Sequence, residues 1–355
     1  MSVTRGKSER VRYKDSHGNW HSETFHTKTA AKNRQAGLRG ERERGGVIDR
    51  RAGKVPFGVF ATETFLATKV DVDQSTFGNI ETRIRLHLAP FHAMPLLVIR
   101  PSDVLRWQAE TKGTRASATL NAALRTLGQV LDLAVRDGLI PRNVTKGIKP
   151  LPSGTRKEIH PATSEQIAAL AAAIEGRFSA AIIFDALGSG MRCGELWALK
   201  VERINFLHRT VRVTESLDDR GSKLVTKSPK NDKARTIRLD QTTIEVLSEH
   251  LAAYPSTGYV FTSAEGEPVR HRNFVRRHFS PAVAECDLPP GFRFHDLRHT
   301  HASLLIADGW RADQVKDRLG HGSIRTTMDT YGHLFPGHDD EQLAALGGMI
   351  RAALA

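Results

Sequence analysis

The sequence predicts a multidomain, mainly α-helical protein that contains two small β regions. The chain has 355 residues, which is enough for two or three domains that each bury a core. Two stretches rich in Gly, Pro and basic residues, "GGVIDRRAGKVPFG" and "KGIKPLPSGTRKEIHPA", divide it. Much of the sequence outside them places apolar residues at helical spacing. We therefore expect three domains, 1–54, 59–148 and 157–340, and a C-terminal tail, 341–355.

The first of these segments predicts a β-hairpin followed by a helix. "RVRYKD" and "WHSETFHT" alternate large with small or polar residues around "DSHGN", whose residues favour turns. Helix-forming residues then occupy 29–44. Residues 1–54 hold 14 Lys or Arg and 6 Asp or Glu, an excess of 8 within a net charge of +13 for the chain. We therefore expect residues 1–54 to form a basic N-terminal module.

The middle segment predicts a compact bundle of about four helices. Its clearest helix carries one apolar stripe, formed by Leu120, Leu124, Leu127, Leu131 and Ala134. Gly138 follows this stripe and is expected to end the helix.

The third segment predicts an α-rich domain with a small three-stranded antiparallel sheet. A capping box of Thr163 and Gln166 starts its first helix. Three β-rich runs, "TVRVTES", "KLVTKS" and "ARTIRLD", supply the sheet, and "YVFTS" at 259–263 is a further candidate strand. Helices resume from about residue 271 to the end of the chain.

The tail, 341–355, has an apolar helical face. Its members are Leu343, Leu346, Ile350 and Leu354. This face packs either on its own domain or on a neighbouring protomer.

Composition narrows the classes of protein to consider. The chain has 52 Lys plus Arg against 39 Asp plus Glu and a pI near 10.0, which indicates a polyanionic partner, with nucleic acid as the first candidate. The two cysteines, Cys193 and Cys286, form no CxxC pair, which argues against a disulfide framework and a cysteine-based zinc site. With no apolar run of membrane-span length and no signal peptide, we expect a soluble, cytoplasmic protein.

One histidine-rich stretch of the third segment could bind either a metal ion or a phosphate. In "GFRFHDLRHTHASLL", His295 and His299 stand one helical turn apart, as in a zinc pair, whereas His295 and Arg298 share a face, as in an anion clamp. A metal would need a further ligand from outside this stretch, and the sequence offers no suitable cysteine and no HExxH motif. We therefore expect phosphate binding and no metal, with His299 and His301 on other surfaces in packing roles.

Four separated pieces of sequence resemble the tyrosine recombinases of the phage integrase kind. In order they are "GMRCGEL", the lysine-rich "KSPKNDKARTI", "HDLRHTHAS" and "LGHGSIRTTMDTYGHLF". This resemblance covers 157–340, while 1–54 and 59–148 resemble, more loosely, the arm-type and core-binding DNA domains of longer integrases. It implies a source in a phage or prophage of an actinobacterial-like host.

The resemblance implies a role for each matching residue. Tyr331 would attack a DNA phosphodiester and form a 3′-phosphotyrosine. Arg192 and Arg298 would bind the non-bridging oxygens, and His295 and His321 would hydrogen-bond the same phosphate. Such chemistry needs no cofactor and no ATP, because the covalent ester retains the energy of the broken bond.

Two further positions complete the set implied by the resemblance. Lys230 would protonate the departing 5′-oxygen, although Lys227 and Lys233 lie close to it in the same hairpin. Glu195 would support the site.

The resemblance also implies partners and leaves alternatives open. A tetramer would bind double-stranded DNA and exchange its strands through a Holliday junction. A host DNA-bending protein and a directionality factor would be further partners. The expected DNA contacts are Arg12, Lys14, Arg142, Lys146, Lys149, Arg156 and Lys157. A cellular, Xer-like chromosome-dimer resolvase, a type IB topoisomerase and a DNA-binding regulator without catalysis are the alternatives.

Overall fold

The residues described in the computed structural model are 8–14, 20–43, 52–152, 159–174, 176–219, 224–228, 234–335 and 339–354. They fall into two units, 1–156 and 157–355. Within the described residues, we find no helix with the length and apolar character needed to cross a membrane.

The first unit begins with the expected hairpin. Strands β1 (Glu9–Lys14) and β2 (Trp20–Phe25) pair antiparallel. Side chains alternate along β1, so that Val11 and Tyr13 are buried while their neighbours are exposed. The buried face packs with residues of helix α1 (Lys28–Glu43), which confirms the predicted hairpin and helix.

The rest of the first unit is helical. Its α-helices are α2 (Phe57–Val59), α3 (Gln74–Thr82), α4 (Pro101–Thr111) and α5 (Ser117–Arg136). Segments of π-helix, Phe60–Phe65 and Arg83–His87, extend α2 and α3. Short 3-10 turns occupy Ala52–Lys54, Leu66–Thr68, Ala89–Phe91 and Leu96–Val98.

Helix α5 lies at the centre of this helical core. Its predicted stripe is buried as expected, since Leu120, Leu124, Leu127, Leu131 and Ala134 all belong to the core. The helix ends at Arg136, and Gly138 adopts a left-handed φ of 66° just beyond it, as predicted.

The second unit contains the remaining helices. They are α6 (Ser164–Ile174), α7 (Ser179–Ile183), α8 (Cys193–Trp197), α9 (Gln241–Ala253), α10 (His271–Phe274), α11 (Ser280–Glu285), α12 (Phe294–Ala307), α13 (Ala312–Leu319), α14 (Ile324–Tyr331) and α15 (Asp339–Leu354). Segments of π-helix extend α7 and α10, at Phe184–Ser189 and Val275–Phe279. The predicted capping box is present, because Thr163 and Gln166 bond each other's backbone amides. Short 3-10 turns lie at Gly176–Phe178, Val201–Arg203 and Gly332–Leu334.

The strands of this unit differ from the prediction in their pairing. A three-stranded antiparallel sheet is present, but its order is β3 (Ile204–Asn205), β4 (Thr210–Val213) and β7 (Arg235–Arg238). β5 (Ser216–Asp218) and β6 (Val225–Lys227) form a separate pair. The run "TVRVTES" thus breaks after Val213 and serves both sheets, and the two-residue β3 is too short to give a sequence signal.

The prediction of a strand at "YVFTS" is also wrong. Its residues form only isolated bridges, Lys200 with Tyr259 and Thr262 with Pro268. Val260 and Phe261 are both fully buried although they are adjacent, so this segment crosses the core without the alternation of a half-buried strand.

An aromatic cluster around Trp197 joins the elements that later form the site. Trp197 ends α8 and is 1% exposed. Its ring contacts Phe274 of α10 at 5.0 Å and Phe294, the first residue of α12, at 5.6 Å between centroids. The end of α8 and the start of α12 are therefore held by one rigid core.

The tail forms α15, but its apolar face does not pack on its own domain. Leu343, Leu346, Ile350 and Leu354 are 60%, 52%, 53% and 83% exposed. Intramolecular packing, one of the two expectations for this face, is wrong for these four side chains.

We predict that Leu127→Ala destabilises the first unit by about 2–5 kcal/mol, because it removes a side chain with no exposed surface from a packed core. Urea denaturation of the full chain measures the change. Leu105→Ala on α4, where the leucine is 52% exposed, is the matched control and should stay within about 0.5 kcal/mol. An equal loss of unfolding free energy in the two variants would contradict the assignment of this core.

Candidate active site

A buried guanidinium joins the ends of two helical segments. Arg298 on α12 is 2% exposed and donates from Nη1 to the Gly190 carbonyl and from Nη2 to the Leu319 carbonyl, both at 2.7 Å. Gly190 and Gly320 end these segments with left-handed φ values of 60° and 67°. Helix ends leave carbonyl groups without partners, and Arg298 satisfies one at each end.

A second arginine lies beside the same turn. Arg192, the N-cap of α8, donates from Nη2 to the Gly320 carbonyl at 3.0 Å and from Nη1 to Glu195 at 2.8 Å. Arg192 and Arg298 thus bond the carbonyls of consecutive residues, Gly320 and Leu319. The two guanidiniums are held close together although they are 106 positions apart by residue number.

Glu195 binds a third arginine as well. Arg235 of β7 donates from Nη2 to Glu195 Oε2 at 2.8 Å and from Nε to the Arg318 carbonyl at 3.1 Å. Burial opposes ionisation of Glu195, but the hydrogen bond and charge of Arg235, followed by the charge of Arg192, lower its pKa to about 2. The 1% exposed carboxylate is therefore charged at neutral pH and fixes both arginines.

Tyr331 closes the site as the last residue of α14. Its side chain is 1% exposed, and its Oη lies 2.8 Å from Nδ1 of His299 on α12. The ring stacks nearly parallel to that of His321, at 6.4 Å and 10°. Burial raises the pKa of Tyr331 to about 12, against the opposing charge of Arg298.

Two histidines, His299 and His321, contact this tyrosine, and a third, His295, packs against His299. His321 Nδ1 lies 2.9 Å from Oγ1 of the fully buried Thr327, and burial followed by the Arg298 and Arg192 charges lowers its pKa to about 3. His295 is exposed on one side, and its ring packs edge-on against His299 at 4.9 Å. Desolvation by the surrounding protein, then electrostatic interaction with the neighbouring His299 and the charge of Arg298, lowers its pKa to about 4.

A buried carboxyl group lies near the arginines. Asp185, in the π-helical end of α7, is 1% exposed, and burial raises its pKa to about 8 against the charge of Arg298. Its Oδ1 has no hydrogen-bond partner among the described residues. Asp185 is thus mainly protonated at neutral pH and does not cancel the charge of Arg298.

The structure brings together six of the residues singled out in the sequence. They are Arg192, Glu195, His295, Arg298, His321 and Tyr331. Lys230 and its neighbour Lys233 lie outside the described residues, whereas Lys227 pairs with Asp218 at 2.8 Å.

Five of the seven expected DNA contacts lie among the described residues. Arg12, Lys14, Arg142, Lys146 and Lys149 lie exposed on the first unit. Arg156 and Lys157 fall outside the described residues.

One expectation about the histidines is wrong. His299 does not face another surface, because the i,i+4 step places it beside His295 and α14 brings Tyr331 against that same face. The only signal for this was the one-turn spacing of the two histidines. His301 is buried, and its Nε2 accepts a hydrogen bond from Arg318 at 2.9 Å.

Sequence reasoning also missed Arg235 and Thr327. Arg235 lay within a run recognised only as a strand, and Thr327 was one of several polar residues before the tyrosine. Neither position carries a local pattern that indicates its partner. In the described part of the chain, no group of three or more His, Cys, Asp and Glu side chains is arranged to hold a metal ion.

We predict that Glu195→Gln lowers the free energy of unfolding at pH 7 by about 3–5 kcal/mol, because two partly buried arginines lose their buried counter-charge. The folded-state pKa of Glu195 is depressed, so its contribution is complete above the unfolded pKa of about 4.3 and is lost as pH falls toward 2. The difference in unfolding free energy between wild type and variant should therefore become smaller below a pH of about 4.

Urea denaturation across this pH range, down to the lowest pH at which the wild type folds, tests the prediction. Glu202→Gln is the control, since Glu202 is 62% exposed and its pair with Arg203 should contribute less than about 1 kcal/mol. A difference in unfolding free energy between wild type and Glu195→Gln that stays constant as the pH falls would contradict the role given to Glu195.

The chain shares its sequence pattern and its fold with known integrases. Residues 162–338 match the phage integrase family. The ICEBs1 integrase of Bacillus subtilis (strain 168) is 25% identical over 318 residues, which cover 85% of each chain. The structure of the Tn1549 transposon integrase in complex with transposon right end DNA has a TM-score of 0.70 at 19% identity, over 84% of this chain and 99% of that one.

A lambda integrase tetramer bound to a Holliday junction also shares the fold, with a TM-score of 0.64 at 16% identity over 92% of each chain. The arginines, the histidines and the tyrosine of the site all lie inside the matched segment. The chain therefore belongs to the phage integrase family of tyrosine recombinases, enzymes that cleave and rejoin DNA.

Proposed function

We propose that the protein is a site-specific recombinase that integrates and excises phage DNA through a 3′-phosphotyrosine intermediate. The observation that carries this proposal is the position of Tyr331, whose hydroxyl lies within a cluster built on Arg192 and Arg298. The reacting phosphate enters between this hydroxyl and the two guanidiniums.

The arginines provide the binding site for that phosphate. Each guanidinium has five N–H donors, and two in each bond protein groups in the free enzyme. The remaining donors bind the non-bridging oxygens, where negative charge increases during attack. Because carbonyls of the protein already hold both guanidiniums, little reorganisation is needed when the phosphate arrives.

The histidines add hydrogen bonds to the same phosphate. His321 Nδ1 lies 2.9 Å from Thr327 Oγ1, and in the tautomer that accepts the threonine proton there, the ring proton on Nε2 is the donor to an oxygen. His295, at the exposed edge of the site, donates to a second oxygen.

The reaction is a transesterification. Tyr331 Oη bonds to phosphorus, the bond to the 5′-oxygen breaks, and Lys230 protonates that oxygen. Attack by the 5′-hydroxyl of another strand reverses these steps and rejoins the DNA. The phosphodiester is exchanged at each stage, so no ATP and no cofactor is consumed.

We propose that the DNA is bound by all three predicted domains, with 1–54 at arm sites, 59–148 at core sites and 157–340 at the cleavage site. The outer face of the hairpin supports the first of these roles. Arg12 and Lys14 lie over the ring of Trp20 at 5.4 and 5.2 Å, and this tryptophan is 62% exposed. The segment that carries Arg142, Lys146, Lys149, Arg156 and Lys157 would contact phosphates without sequence preference.

The assembled enzyme is proposed to be a tetramer on DNA. The exposed apolar face of α15 supports this, because docking on a neighbouring protomer would bury it. A lambda integrase forms a tetramer on a Holliday junction. We also propose that a host DNA-bending protein and a directionality factor act with the enzyme in the cytoplasm of a bacterial host.

A phage integrase is favoured over the other candidates by two features. The basic N-terminal hairpin is not needed by a cellular chromosome-dimer resolvase or by a type IB topoisomerase acting without site preference. A regulator that only binds DNA has no use for a tyrosine held among arginines and histidines.

We predict that the wild type forms a covalent adduct with the 3′ end of a nicked duplex in excess EDTA, because two guanidiniums supply the positive charge. The duplexes tile the DNA that flanks the protein's own gene, where integrases often keep an attachment site. Tyr331→Phe should bind the same DNA and form no adduct. Tyr254→Phe is the matched control and should react like wild type. Cleavage by Tyr331→Phe, or cleavage that needs a divalent metal, would refute the mechanism.

We predict that deletion of residues 1–54 preserves binding to core-site DNA and greatly lowers recombination between full attachment sites. Gel-shift titration and an integration assay measure the two properties separately. Recombination at the wild-type rate by the shortened chain would refute the arm-binding role of the hairpin.

A further inference from the structure

We propose that His299 is the general base that takes the proton from Tyr331 Oη as this oxygen attacks the phosphodiester. The inference rests on the proposed nucleophilic role of Tyr331 and adds a catalytic residue to that reaction.

The geometry places an acceptor at the reacting atom. His299 Nδ1 lies 2.8 Å from Tyr331 Oη, within the range in which a base receives a proton. The two rings come from different helices, α12 and α14, and their centroids are 5.6 Å apart at an angle of 65°. The edge-on ring of His295, at 4.9 Å, packs against His299 and supports its orientation.

The environment of Tyr331 creates the need for a base. The side chain is 1% exposed, so bulk hydroxide has little access to Oη. With a pKa of about 12, only about 1 in 10⁵ molecules would carry a phenolate at pH 7. Attack by the neutral phenol therefore requires that its proton leave as the new bond forms.

The other nearby groups are less suitable acceptors. His321 has its Nδ1 engaged by Thr327, and its ring lies parallel to that of Tyr331 at 6.4 Å. His295 contacts His299 rather than Tyr331. Arg298 is a donor only and remains charged at neutral pH, with a pKa lowered by burial to about 10.

His299 is in the protonation state that a base needs. Burial lowers its pKa, the Arg298 and Arg293 charges act in the same direction, and Asp296 opposes them. A neutral ring with its proton on Nε2 accepts the hydrogen bond of the Tyr331 hydroxyl at Nδ1.

The proton balance is complete in both directions. During cleavage the Oη–H bond breaks, Nδ1 of His299 gains the proton, the Oη–P bond forms, and the 5′-oxygen leaves with a proton from Lys230. During rejoining the 5′-hydroxyl attacks phosphorus and returns its proton to Lys230, and His299 gives its proton back to Oη.

The test compares His299→Gln with wild type in the nicked-duplex assay. Gln can bond the tyrosine but cannot accept its proton near neutral pH. The adduct should form about 10²–10⁴-fold more slowly at pH 7, with DNA binding unchanged. The wild-type rate should fall as the pH drops and His299 becomes protonated, whereas the residual rate of the variant should keep rising with pH. His333→Gln, an exposed histidine two residues after Tyr331, is the matched control.

A more acidic nucleophile separates a base from a structural contact. Difluorotyrosine at position 331 should rescue most of the lost rate in His299→Gln and change the wild type little. An unchanged rate in His299→Gln, or a loss that difluorotyrosine does not rescue in folded, DNA-binding protein, would overturn the role of His299 alone. A wild type without any Tyr331-dependent adduct would overturn the proposed function and this inference with it.

Discussion

The site depends on the bonds from the Arg298 guanidinium to the carbonyls of Gly190 and Leu319. These bonds hold α12 against the ends of two other helical segments, one leading to Arg192 and the other to His321. The turns at these two helix ends also require two glycines. A Cβ on Gly190 would come within 2.5 Å of the His301 ring, and one on Gly320 within 2.9 Å of the Arg235 side chain. Both positions have left-handed backbone as well, so the site requires glycine for two reasons.

The cluster carries more positive than negative charge. Glu195 serves both Arg192 and Arg235, while the carboxyl group of Asp185 is mainly neutral at pH 7. Among the described residues, three guanidiniums thus share one carboxylate in a largely buried site. This excess of positive charge disfavours the free protein, and a phosphodiester would relieve it. The same electrostatic feature that binds DNA would then stabilise the transition state.

The sequence predicted those parts of the site that lie in short, separated motifs. Arg192, Arg298, His321 and Tyr331 lie in motifs that resemble those of tyrosine recombinases, and the structure brings them together. The contact of His299 with Tyr331 could not be predicted in this way, because it depends on how α14 packs against α12.

The same limit applies to the fold. Helical stripes and the hairpin follow from periodicity within one segment, so they were predicted well. The pairing of β3, β4 and β7 is a contact between distant runs, and the sequence pattern gave the wrong third strand. Arg235 was missed for the same reason, since its role depends on the distant Glu195 and Arg318.

Mass spectrometry of the covalent adduct tests the central claim most directly. After nuclease and trypsin digestion, residues 326–351 form one peptide in which Tyr331 is the single tyrosine. The account predicts a nucleotide attached to this tyrosine through its 3′-phosphate. A nucleotide on any other residue, or a 5′-phosphate linkage at Tyr331, would contradict it.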